Sequence, residues 1–319
     1  MGTIGEMARR ALSAARTVQV LNFLASHPGE GYTLSELAEN AEVNVASMHA
    51  VLAVLTQSGF VIRDPRRKSY RLGLSAIGVG LAAVDEHPVV KQGREAVTEL
   101  AERLGLECLL SVNAGGELLI VAEAGRPERL YLRPRVGQRL PFMPPLAILA
   151  AGYLPDSELE GWLARIGPDA TAADKQAYRD AAQAARRQGY AVDLETPTRH
   201  QIALLMPQLA KDPRSPELNA HLAQLVAQLG HEHHQLTDPE PDTSYPVNNI
   251  QAPIFNEDTH LIGGFSLLGF DQPLTAEQIQ TYLHTMLTAA ERLTLSTGGH
   301  IPLNPPLRPA TVRARKPGA

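Results

Sequence analysis

Between Asn44 and Tyr70 the sequence gathers side chains suited to gripping duplex DNA. Asn44, Ser47 and His49 are polar positions at the start of a predicted helix, where side chains can reach base edges or phosphates in a major groove. Arg63, Arg66, Arg67 and Lys68, followed by Tyr70, crowd a predicted hairpin; cations there can pair with phosphates or enter a minor groove. A solvated helix face and a solvated turn would account for the same residues without a partner. Charge placement favours a partner: residues 1–75 hold eight Lys/Arg against six Asp/Glu, a net of +2, in a chain whose net charge is −5. A local basic footprint on an acidic protein suits binding at a few sites rather than bulk coating of nucleic acid.

The elements that must position these residues can be read from spacing. Thr33 with Glu36 three residues later is a capping box, and Leu34, Leu37 and Ala38 give one apolar helix face. Ala41 to Val43 makes a turn. A second helix starts near Asn44 with Met48, Val51, Leu52 and Leu55 inward, and Gly59 follows its end. Phe60 to Ile62 and Tyr70 to Leu72 form two strands joined through Asp64-Pro65 and the basic tip. A preceding helix over residues 5–26 packs beneath, so residues 1–72 make a winged helix-turn-helix domain. Gly73 to His87 is a linker, itself helical, whose Gly78 and Gly80 suggest close packing against another helix, such as that of a second subunit.

Residues 88–299 form a second domain of mixed character. A helix over 88–104 precedes strands at 107–112 and 117–122, joined by the turn Asn113-Ala114-Gly115-Gly116. A third strand is expected at 129–133, helices at 145–152, 156–165 and 172–188, and strands at 190–194, 248–255 and 260–268. A final helix spans about 275–296. The segment 198–247 is an insertion holding a strand candidate (201–206), an amphipathic helix (216–236) and a Pro/Asp-rich loop. Hairpin strands, then helices, then strands again describe an α+β fold. The tail, 300–319, has five prolines and four basic residues without an acid, and is expected to be disordered.

Other chemistry finds little support. His231, His233 and His234 are the one cluster with metal-ligand character, yet a polar helix end explains them better and no metal is expected. Cys108, the single cysteine, excludes an internal disulfide, fits a reducing cytoplasm and sits among apolar neighbours as a buried thiol. Nucleophile elbow and glycine-rich phosphate loop are both missing, so neither an enzyme nor a cofactor is expected. Some small-molecule methyltransferases carry a similar winged helix, but they need a glycine-rich cofactor loop; Gly115-Gly116 is a hairpin turn. The absence of any apolar run of about 18 residues argues against a membrane span.

Taken in order, these motifs resemble the IclR family of bacterial transcription regulators. The likeness starts at Ser13 to Leu21, runs through Leu34 to Ala38, Val43, Ser47, His49, Leu52, Leu55, Gly59 to Val61 and Tyr70 to Gly73. It resumes at Val136-Gly137, Leu140-Pro141, Ala147 to Ala150, Arg187 to Asp193 and Ile250 to Phe255, and closes at Ser266 and Gly269. The resemblance implies a winged helix joined to a GAF-like effector domain, acting on double-stranded operator DNA as a homodimer or homotetramer. It also implies that Asp193 and Ser266 face an effector cup. The chain departs from the family at Ala50, where an arginine is usual, at the shortened loop Leu140 to Leu146, which has neither Gly nor Lys, and at 198–247.

The expectation is therefore a cytoplasmic, ligand-controlled DNA-binding regulator. Its effector would be a small, aromatic or largely apolar molecule held by Leu140, Phe142, Met143 and Pro144, with Ala252, Ile254, Phe265 and Leu267 opposite and Ser266 facing the cup. Arg133 or Arg135 would pair with an acid group on it, and Asp193 would line the cup. The alternatives are a ligand-independent DNA-binding or assembly protein with a closed cup, and a methyltransferase-like enzyme.

Overall fold

The computed structural model describes residues 12–125, 135–211 and 215–303. The expected helical residues 5–11, the third strand at 129–133 and the tail beyond 303 lie outside them. The chain divides into two compact units, the first running through Lys91 together with Arg135–Gln138, the second from Gln92 onward.

In the first unit, helix α1 (Leu12–Ser26) leads to the short strand β1 (Tyr32–Thr33), α2 (Leu34–Asn40) and α3 (Val45–Gln57). The wing follows as β2 (Val61–Asp64) and β3 (Ser69–Leu72), and the sheet order is β1-β3-β2. Thr33 and Glu36 form the capping box read from the sequence. The Asn44 side chain accepts the Ser47 backbone N–H at 2.8 Å and starts α3. Gly59 takes φ +74° after the Ser58 C-cap, and the backbone of Gly73 lies so close that a Cβ there would meet the Gly59 carbonyl at 2.2 Å. Val20, Leu24, Leu37, Met48, Leu52, Leu55 and Val61 bury against one another as the core. Helix α4 (Ser75–Glu86) then buries none of its residues, leaving Ile77, Val79 and Leu81 exposed.

Among the described residues, the second unit is built on a six-stranded antiparallel sheet, entered by helix α5 (Pro88–Leu104), whose first residues belong to the first unit. The strands are β4 (Glu107–Asn113), β5 (Glu117–Ala124), β6 (Arg139–Pro141), β7 (Ala191–Leu194), β9 (Val247–Phe255) and β10 (Leu261–Leu268), in the order β6-β5-β4-β10-β9-β7. A short pair, β8 (Ser244–Tyr245) with β11 (Leu274–Thr275), precedes the final helix α11 (Ala276–Ser296). Gly115 and Gly116 both take positive φ at the β4–β5 turn.

Strand alternation gives this sheet two unlike faces. Cys108, Leu110, Phe265, Leu267, Ile250, Ala252 and Ile254 share one face by register and are all fully buried. That face is covered by α5 and α11: a Cβ on Gly93 would lie 2.3 Å from the Leu110 side chain and 3.3 Å from Leu293. The other face carries Glu123, Leu109, Ser266, Gln251 and Ala191 in one row across five strands. On this side lie α6 (Ile148–Ala151), α7 (Asp156–Leu163) and α8 (Ala172–Gln188).

The inserted segment departs from expectation. Residues 201–206, anticipated as a strand, lie within helix α9 (Pro197–Lys211), because Ile202, Leu205 and Leu209 bury at helical spacing. The following helix α10 (Pro216–Gly230) stops six residues short of Leu236. Both helices bury Ile202, Leu205, Leu225, Val226 and Leu229 with Phe142, Leu149, Trp162 and Tyr178 in one core. Residues 197–230 thus form an integral helical hairpin.

Candidate nucleic-acid interface and effector face

Helix α3 points Met48, Val51, Leu52 and Leu55 inward and turns Asn44, His49, Ala50, Ala53, Val54 and Gln57 to solvent, with Ser47 half-buried. Asn44 is committed to its cap, so its oxygen shapes the helix start. In the wing, Asp64 accepts the backbone N–H groups of Arg66 (2.8 Å) and Arg67 (3.1 Å). Those two bonds, that of Arg67 first, hold the Asp64 carboxyl below the usual carboxylate range, and Lys68 completes the turn at φ +51°. A tight turn thus presents Arg66, Arg67 and Lys68 outward, all exposed. Arg63 lies with its guanidinium 5.7 Å from the Tyr70 ring centroid. Tyr70 itself is 6% exposed and belongs to the winged core, so it is not available to DNA as anticipated; pairing of β3 with both β1 and β2 puts it at the centre of the small sheet.

The anticipated effector residues do not come together. Arg133 lies outside the described residues. Arg135 donates to the Pro28 carbonyl at 3.4 Å within the first unit. Leu140 and Met143 are half-buried, Pro144 is buried, and Phe142 is part of the helical core. Ala252, Ile254 and Phe265 point into the face covered by α5 and α11, away from Ser266. Their direction follows from strand parity: Phe265 and Ser266 are adjacent and cannot face one cup. Of the sheet residues named, Ser266 and Asp193 share the opposite face.

Asp193 is 3% exposed and surrounded by donors that sequence reasoning missed. Its Oδ1 accepts from Arg199 Nη2 (3.3 Å) and from the Gln235 amide, and its Oδ2 from Gln251 (3.0 Å) and Asn249 (3.3 Å). Arg199 Nε also donates to the Leu194 carbonyl at 3.0 Å. Four donors fill the carboxylate's acceptor capacity. Arg199 comes from α9 and Gln235 from the segment after α10, Asn249 and Gln251 from β9. Alternation on β9 places Asn249 and Gln251 two apart; nothing local in the sequence points to Arg199.

Two histidines of this segment, His231 and His234, take structural roles. His231 pairs with Asp174, the capping residue of α8, and the Thr171 hydroxyl above all keeps that carboxyl below its usual range. His234 packs on Tyr178 with 5.5 Å between ring centroids, and its Nδ1 lies 3.0 Å from the Glu232 carbonyl. Burial holds its pKa below the ordinary histidine value. Among the described residues, no group of three or more His, Cys, Asp or Glu is arranged to hold a metal. Burial pushes the Cys108 thiol up to about 12, leaving it protonated and unreactive. Among the described residues, no helix is long and apolar enough to cross a membrane.

A family model for the IclR helix-turn-helix domain matches residues 13–65, and one for the bacterial transcriptional regulator IclR C-terminal region matches 81–207. The chain is 24% identical over 188 residues to the HTH-type transcriptional regulator XynR of Escherichia coli (strain K12), across 57% of this chain and 74% of that protein. In fold it resembles the IclR transcriptional regulator from Alicyclobacillus acidocaldarius, at TM-score 0.64 and 20% identity, covering 91% of this chain and 99% of that one. It also resembles an IclR homologue from Microbacterium hydrocarbonoxydans complexed with 4-hydroxybenzoate, at TM-score 0.56 and 17% identity, covering 89% and 98%.

Proposed function

The chain belongs to the IclR family of DNA-binding transcriptional regulators, and we propose that it binds a roughly palindromic operator as a homodimer or a pair of homodimers. The observation that carries this reading is the wing: an Asp64-braced turn leaves Arg66, Arg67 and Lys68 exposed beside the exposed face of α3. Phosphate contacts from such a tip position a helix whose start enters the major groove. Self-association is supported by α4, whose exposed Ile77 and Leu81, one turn apart on one helix face, offer an apolar stripe that a second copy would bury. Because the regulator acts on DNA, a cytoplasmic location follows. Selection from a random duplex pool with purified full-length protein should enrich two inverted half-sites about 10 base pairs apart or a multiple of that. A pool with no enriched sequence would refute specific recognition.

The effector of this regulator is a small aromatic or largely apolar molecule. Support comes from the half-buried apolar residues Leu140 and Met143, and from the sheet face where Glu123 and Ser266 flank Leu109. Among the described residues, Glu123 Oε2 is buried without a hydrogen-bond partner, and so could accept from a ligand hydroxyl. The 4-hydroxybenzoate in the Microbacterium protein is of that chemical kind. Calorimetry should show hydroxylated aromatic acids binding more tightly than short keto acids; the reverse order would contradict it. A second reading, DNA binding without an effector, is favoured by one observation: Asp193 is saturated by the protein's own donors. Operator affinity that no aromatic ligand alters would support that second reading.

A further inference from the structure

Helix α3 contains no Lys, Arg, Asp or Glu; its sequence is VASMHAVLAVLTQ. With Met48, Val51, Leu52 and Leu55 buried, helical spacing centres the outward face on Ala46, Ala50 and Ala53, flanked by His49 and Gln57. Val45 and Val54 border it, 50% and 66% exposed. This face has no guanidinium or ammonium to reach guanine O6 and N7, and no carboxylate to accept from cytosine N4. Its surface is mostly methyl groups on side chains so short that the helix backbone can approach the base edges closely. In the major groove, thymine alone among the four bases carries a methyl group, and alanine is a side chain that packs against it.

We propose that α3 reads its half-site through thymine C5-methyl groups packed against Ala46, Ala50 and Ala53. His49, near the helix start, supplies hydrogen bonding to base edges. The proposal rests on the operator-binding reading above and assigns that interface its base preference. It divides the labour: the wing provides sequence-independent phosphate attraction, and α3 provides shape and apolar complementarity. Thymine-rich half-sites follow, with few guanines under the start of the helix.

Deoxyuridine substitution tests this directly, because it removes the methyl group and leaves pairing and every hydrogen-bonding edge intact. In the site recovered from the random pool, replacing each thymine of one half-site in turn should weaken binding by about fourfold at each methyl packed on α3. Equal affinity for thymine and deoxyuridine duplexes at every position would overturn the methyl reading while leaving operator binding intact. A protein that binds no duplex at any salt concentration would overturn both. As a second arm, Ala50→Arg places a guanidinium on the exposed face without touching the core. Selection with that variant should gain a guanine in each half-site, and recovery of the unchanged site would count against α3 as the reading element.

Discussion

The wing and the Asp193 hub both concentrate charge, and they use it in opposite ways. Around Asp193 the charges meet partners: Arg199, Gln235, Asn249 and Gln251 surround one carboxylate and tie α9 and the segment after α10 to the sheet. In the wing, Asp64 satisfies only backbone N–H groups, and the guanidinium and ammonium groups of the tip are left in solvent. Charge satisfied internally marks architecture, whereas charge held out on a rigid turn marks a place for an external partner. Residue type alone does not separate the two cases; the number of internal partners does.

Removing each kind of charge should therefore change different observables. The largest effect is expected for Asp193→Ala, which leaves the buried Arg199 without its counter-charge and should cost about 3–5 kcal/mol in the second unit. Thermal unfolding followed by Trp162 fluorescence would report it, since that residue lies in the same unit. A loss below about 1 kcal/mol would mean that the hub is not holding the hairpin. For the wing, Arg66→Ala, Arg67→Ala and Lys68→Asn together should weaken DNA binding between about 10- and 100-fold at physiological salt. Asparagine is chosen at 68 because it tolerates the positive φ. The same variant should melt within about 1 °C of the parent, as exposed substitutions away from packed contacts cost little.

Smaller effects refine the contrast. His234 takes up a proton near pH 6.5 in the unfolded chain, while burial, aided by the Arg199 cation, lowers its folded value. The Glu232 carbonyl and the Asp193 and Glu232 carboxylates oppose that shift without reversing it. The unfolded state then binds more protons, so the stability of this unit is complete above about pH 6.5 and declines as pH falls below it. His234→Gln should flatten the decline in melting temperature between pH 7.5 and 5.5; an unchanged slope would show that His234 is not the group that titrates there. Asn44→Ala should cost about 1 kcal/mol through the lost α3 cap. Chemical denaturation of the first unit measures that, and no change would argue that the Asn44 oxygen is free to contact DNA.

Local physics made the first unit legible. The Thr33–Glu36 box, the Asn44 cap, the buried face of α3 and the Gly59 stop are all set by residues within one or two turns of one another. Tyr70 is ambiguous in the sequence because a tyrosine beside arginines suits either a phosphate or a core, and only the pairing of β3 on both edges decides. In the second unit the strands 107–113, 247–255 and 261–268 were visible from turns and apolar runs, but the face each residue takes depends on register. Adjacent Phe265 and Ser266 could have been separated by alternation alone; which face meets α5 and α11 could not. Residues 201–206 form a short apolar run that suits strand or helix equally, and burial against Trp162 and Tyr178 selects the helix. Arg199 finds Asp193 only through the path of the inserted hairpin.

The central claim is that the wing holds its charge for phosphates. Its most direct test is the dependence of DNA affinity on salt, measured for the parent and the triple wing variant on the same duplex. The plot of log K against log salt should become shallower by about 2.7 when three phosphate contacts are removed. Parallel plots with equal slopes would mean that Arg66, Arg67 and Lys68 never meet the DNA backbone.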